Sequence, residues 1–102
     1  MCLPFTAPKH LDSLRVSDRK PTKFENSTKR MIALYLEPWG ADYWLALGDI
    51  FDVVPQDPGA DYYLHVIHHD DAIQVYVEGS GSAVVVQNGR ELVCGHQRPN
   101  DA

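Results

Sequence analysis

The sequence predicts an all-β domain: a small antiparallel sandwich or barrel of about seven strands behind an irregular N-terminal arm. Two observations carry this. From Ile32 to about Cys94 apolar residues alternate with polar ones at the period of two that marks half-buried strands. Turn residues (Pro, Gly, Asn and Asp) interrupt that pattern at short intervals, leaving no stretch long enough for a substantial helix.

Ile32, Leu34 and Leu36 alternate with Ala33, Tyr35 and Glu37, which predicts a first strand with one buried face. Glu37-Pro38-Trp39-Gly40 follows, with Pro second and Gly fourth as in a type I turn. Asp42 to Leu47 reads as the next strand. Gly48-Asp49 reads as a two-residue II′ loop, so that Ile50 to Val54 returns as the second arm of a hairpin. Pro55 to Gly59 is a longer loop. Tyr62–His69 and Ala72–Glu78 flank Asp70-Asp71 and predict a second hairpin. Its register places Leu64, Val66, His68, Ile73, Val75 and Val77 on one face. Tyr63, His65, Ile67, His69, Gln74, Tyr76 and Glu78 fall on the other. Ser82–Gln87 and Arg90–Cys94 flank Asn88-Gly89, the strongest short hairpin signal in the chain. Sequential hairpins imply antiparallel pairing throughout.

Three segments follow: an irregular basic arm over 1–30, the β domain over 31–95, and a polar tail over 96–102. His10 to Val16 has the spacing of one or two helical turns. Met31 directly precedes the first strand, so translation starting there would yield a complete-looking domain. The net charge of −5 conceals a split. Seven basic residues against three acidic ones give 1–30 a charge of +4, and two against eleven give 31–102 a charge of −9. The acidic body repels phosphate backbones, so nucleic-acid contact is assigned only to the basic arm, which equally suits the domain's own acidic surface. No apolar run approaches the roughly 20 residues of a membrane span, and the N-terminus lacks the pattern of a secretory signal. Two cysteines at opposite ends of the chain make neither a disulfide framework nor a metal knuckle. They point to a cytoplasmic protein in which Cys94 is a reduced, apolar strand residue.

His65, His68, His69, Asp70 and Asp71 are dense in metal-ligating atoms. Strand geometry separates them. His65 and His68 point to opposite faces, and His65 and His69 lie roughly 13 Å apart at about 3.3 Å per residue. One metal held at about 2.1 Å from each nitrogen cannot join them, so no metal and no cofactor is expected. Gly79-Ser80-Gly81 lacks the strand-to-helix setting of an activated serine. The expected binding patch is therefore aromatic and polar: Trp39, Tyr43, Trp44, His65, Gln74 and Tyr76. His65 lies opposite Tyr76 in the hairpin register, while Tyr43 and Trp44, being adjacent, point to opposite faces. The Tyr43–Val54 hairpin is apolar on both faces, which suggests cover by the arm or by a second subunit in a homodimer.

Ile32 to Leu92 resembles small uncharacterised bacterial proteins in which an apolar strand runs into Glu-Pro-Trp-Gly, here Glu37-Pro38-Trp39-Gly40. A tyrosine (Tyr43) and Gly48-Asp49 follow in the same order, then a His-rich hairpin. The resemblance implies an all-β bacterial domain and supplies no catalytic residues. A weaker similarity is to cupins, whose strands follow a Pro-Gly-Asp turn. Here the turn is Leu47-Gly48-Asp49, and the cupin His-x-His metal signature is missing. The expected function is a non-enzymatic module that binds a partner protein or a small ligand. The alternatives are a cupin-like metal or proton-transfer enzyme using His65 and Tyr76, with His68 or His96, and a nucleic-acid-contacting arm.

Overall fold

The computed structural model describes residues 20–100. Residues 1–19, with the expected helical turns at His10–Val16, lie outside them, as do 101–102. The described chain is an eight-stranded β-sandwich: β1 (Thr22–Glu25), β2 (Ile32–Glu37), β3 (Ala41–Leu45), β4 (Ile50–Gln56), β5 (Tyr63–His68), β6 (Ala72–Glu78), β7 (Ser82–Gln87) and β8 (Arg90–Glu91). Sheet I has the order β1-β4-β7-β8, and sheet II the order β3-β2-β6-β5. Among the described residues no helix is long and apolar enough to cross a membrane.

Three hairpins form where the turn residues require them. β5 and β6 pair in the predicted register, with His68 opposite Ile73, Val66 opposite Val75 and Leu64 opposite Val77. β7 and β8 close over Asn88-Gly89, where both residues have positive φ, 52° and 78°. Positive φ at both central positions is the type I′ requirement. β2 and β3 pair around Glu37–Gly40, where the Glu37–Pro38 peptide is cis and Gly40 has a φ of 70°.

The Tyr43–Val54 segment is not a hairpin. β3 belongs to sheet II and β4 to sheet I. The Asp49 N–H donates to the Ala46 carbonyl at 2.9 Å, so the turn spans Ala46–Asp49 and Gly48 is its third residue, with φ of 83°. A positive φ at the third position is the type II arrangement, which splays the flanking strands, whereas II′ keeps them paired. β4 thereby leaves sheet II and becomes an inner strand between β1 and β7. β2 and β6 are parallel neighbours, contrary to the expectation of wholly antiparallel pairing. A sandwich whose chain repeatedly changes sheets can bring distant strands together in either sense.

The expected arm contributes β1, which pairs with β4 from Thr22–Val53 to Glu25–Ile50. Asn26 then fixes the exit. It is 2% exposed, and its amide donates to the carbonyls of Arg30 (2.8 Å) and Leu45 (2.9 Å) while Oδ1 accepts from Thr28 N–H at 2.9 Å. The expected tail is anchored too. Gly95 N–H donates to the Asp42 carbonyl and Trp44 N–H to the His96 carbonyl, so residues 95–97 lie along the outer edge of β3, with a parallel bridge from Tyr43 to His96.

Between the sheets, Phe51, Leu34, Leu45, Val53, Val75 and Val85 are fully buried. Each side chain removed from water contributes about 1.5–3 kcal/mol before the entropy of ordering it is counted. Cys94 is disulfide-bonded, which corrects the reading of a reduced thiol. The sequence holds one other cysteine, Cys2, outside the described residues.

Candidate functional site

Alternation along the four strands of sheet II leaves one face against sheet I and turns the other outward. Cross-strand register builds the outward face in rows. One row runs Asp42, Tyr35, Gln74, Ile67, and the next runs Glu37, Tyr76, His65. Trp44 lies beside Ala33, and Tyr63 beside Glu78.

The centre of the face is held by a line of hydrogen bonds. Gln74 Nε2 donates to Glu37 Oε2 at 3.1 Å. His69 Nε2 lies 2.7 Å from Gln74 Oε1. That oxygen can only accept, so the Nε2 nitrogen of His69 carries the proton. Next to this line the rings of His65 and Tyr76 sit 6.0 Å apart at an interplanar angle of 37°. His65 Nδ1 is 3.8 Å from Glu78 Oε2, a charge contact when the ring is protonated and too long for a hydrogen bond.

One end of the face is an acidic hub. Asp42 is 7% exposed. Arg98 grips it with two donors, Nε to Oδ2 at 2.8 Å and Nη2 to Oδ1 at 2.5 Å, and Trp44 Nε1 donates to Oδ2 at 2.8 Å. The hydrogen bond from Arg98 is the main reason that the Asp42 pKa lies below its ordinary value; burial opposes it, and the Trp44 hydrogen bond adds to it. Cys94 Sγ stands 3.6 Å from Asp42 Oδ1; as a disulfide sulfur it has no proton to donate. Asp49 forms a smaller hub. Burial works against its charge, but hydrogen bonds from Gln97, the Ala46 N–H and Gln87, with the field of His96, outweigh it and lower its pKa.

Of the residues expected from sequence, Trp44, His65, Gln74 and Tyr76 share the outward face. Trp39 lies in the cis-proline turn beyond the Glu37 row and is 38% exposed. Tyr43 points the other way, into the core, at 8% exposure, and burial raises its pKa, helped by the charges of Glu91 and Asp42. His96 also belongs to the interior, with its ring edge against Phe51 at 5.7 Å and 67°. Sequence reasoning missed Asp42, Arg98 and Tyr35. The only signal for Asp42 was its outward phase on an edge strand next to Tyr43. Arg98 lay in a tail without periodicity. Among the described residues no three His, Cys, Asp or Glu side chains converge to hold a metal. No hydrogen bond joins His65 to Tyr76 there either.

The class this defines is a small β-sandwich with one aromatic and polar sheet face. No protein-family model matches the chain, and no curated protein or solved structure shows significant similarity to it.

Proposed function

We propose that the protein is a non-enzymatic binding module, and that the outward face of sheet II recognises a small ligand with a flat apolar side and hydroxyl or amide edges. The supporting observation is the Glu37–Gln74–His69 hydrogen-bonded line lying beside the His65–Tyr76 ring pair. The rings offer a surface for stacking. The carboxylate, amide and imidazole offer donors and acceptors whose positions are already fixed, which lowers the ordering cost of binding. Ring contact without a hydrogen bond favours recognition over proton transfer between His65 and Tyr76.

The test is an NMR titration of the isotope-labelled chain with a panel of sugars, polyols and aromatic amides. Binding moves the amide signals of His65, Gln74 and Tyr76, and Tyr76→Ala weakens it at least about tenfold. Shifts confined to sheet I, or an affinity indifferent to Tyr76→Ala, would refute the site. As to compartment, the disulfide at Cys94 supports an oxidising environment over the reducing cytoplasm that the cysteine spacing suggested.

A further inference from the structure

The four sheet edges are not treated alike. The outer edge of β3 is covered by residues 95–97. β1 is four residues long, carries Lys23 and Glu25 and follows Pro21. β8 is two residues long. These are the usual devices that keep an edge from pairing: cover, charge, proline and shortness. β5 has none of them. It spans six residues, Tyr63-Leu64-His65-Val66-Ile67-His68, without proline, lysine, arginine or a carboxylate. Among the described residues nothing pairs with its outer edge.

The phase of the hairpin says which groups point outward. The His69 N–H donates to the Ala72 carbonyl at 2.8 Å, so that pair is hydrogen-bonded. In an antiparallel ladder bonded pairs alternate, so Ile67, His65 and Tyr63 also direct their N–H and C=O toward β6. Leu64, Val66 and His68 direct theirs to the open edge. The same residues turn their side chains to the sheet I side, where Val66 is still 43% exposed, in contrast to fully buried Val75 opposite it. Tyr63, on the other face, is 59% exposed.

We propose that β5 pairs with β5 of a second copy of this chain about a twofold axis through Val66, giving a dimer with a continuous eight-stranded sheet. An antiparallel strand is complementary to itself under such an axis. Cross-strand partners must share a face, so the register pairs Val66 with Val66 of the other copy and Leu64 with His68. That register uses every outward group on Leu64, Val66 and His68, in about six interchain hydrogen bonds; a two-residue slip either way loses some of them. The two exposed valines bury each other. Although the body is strongly acidic, β5 itself carries no carboxylate, so no like charges face each other across the pairing strands. The dimer joins the outward faces of both sheets II, with His65 of each copy near the seam.

Sedimentation velocity of the full chain, run with and without reductant, tests this. A concentration-dependent monomer–dimer equilibrium that persists in reductant is expected. Val66→Lys places two cations on the axis and raises the dissociation constant at least about tenfold. Val66→Pro removes the outward N–H without touching a β5–β6 hydrogen bond and acts in the same direction. Near-ultraviolet circular dichroism identifies the variant that keeps the native fold, and that variant decides. A wild-type monomer at all accessible concentrations overturns the proposal and leaves the edge to an extended segment of another protein. A folded variant that dimerises as well as the wild type overturns it too.

Discussion

Asp42 sits on an edge strand, where an aspartate would normally be solvated, yet it is 7% exposed and accepts from Arg98 and Trp44. Its lowered pKa sets the sign of its pH dependence. The stabilising contribution is complete above the ordinary aspartate value of 3.8 and is lost as pH falls through the lower folded value. Asp42→Asn should cost about 1–2 kcal/mol near neutrality, and the deficit relative to wild type should shrink below about pH 4. Urea unfolding at a series of pH values measures it; a constant deficit down to pH 2 would show that the charge is not what stabilises. Asn26 is the neutral counterpart. Its amide closes the β1–β2 connection onto β3, and Asn26→Ala removes the donor to the Arg30 and Leu45 carbonyls and the acceptor of the Thr28 N–H. The expected loss is about 2–3 kcal/mol by chemical denaturation. Neither role was legible in the sequence, because each depends on a partner from a distant segment, Arg98 for Asp42 and Leu45 for Asn26. Tyr76 and His65 were legible as neighbours, because a hairpin register fixes cross-strand pairs locally.

Elements divide the same way. The β5–β6 and β7–β8 hairpins follow from turn chemistry and alternation, which act over a few residues. The β3–β4 connection does not: Gly48 serves a II′ hairpin or a type II corner equally well, and the choice moves a whole strand between sheets. The crossing from β6 to β7 shows the same dependence on tertiary packing. Gly79 has φ of 76°, and a Cβ built there would stand 2.1 Å from the Asp61 carbonyl oxygen. Asp61 in turn accepts from the Ser80 N–H at 3.0 Å, and that hydrogen bond leads the lowering of its pKa. Gly79→Ala should therefore cost at least about 2 kcal/mol, both from the backbone and from the collision. Thermal unfolding reads this directly; a midpoint equal to wild type would mean that the 57–62 loop can move aside.

At the scale of the described molecule, a core whose largest fully buried side chains are Phe51, Leu34, Leu45, Val53, Val75 and Val85 holds two sheets whose edges are mostly closed. The disulfide at Cys94 adds a covalent constraint at the end of sheet II, close to Asp42. Protein unfolded without reductant should show no Cys94 thiol to alkylation, and reduction should lower the thermal midpoint, in keeping with a bond contributing about 2–4 kcal/mol. Quantitative alkylation of Cys94 in the unreduced protein would contradict it. Alternation and turns alone determined that this chain is all-β, where most strands lie, and that His65, Gln74 and Tyr76 share one face. These properties depend on the side-chain period and on φ preferences at single residues. Only the tertiary structure decided which strands share a sheet, that β2 and β6 run parallel, that Tyr43 is interior, that the tail closes an edge, and that Asp42 and Arg98 meet. Those outcomes depend on burying apolar faces against each other across the whole chain, and no local pattern encodes that.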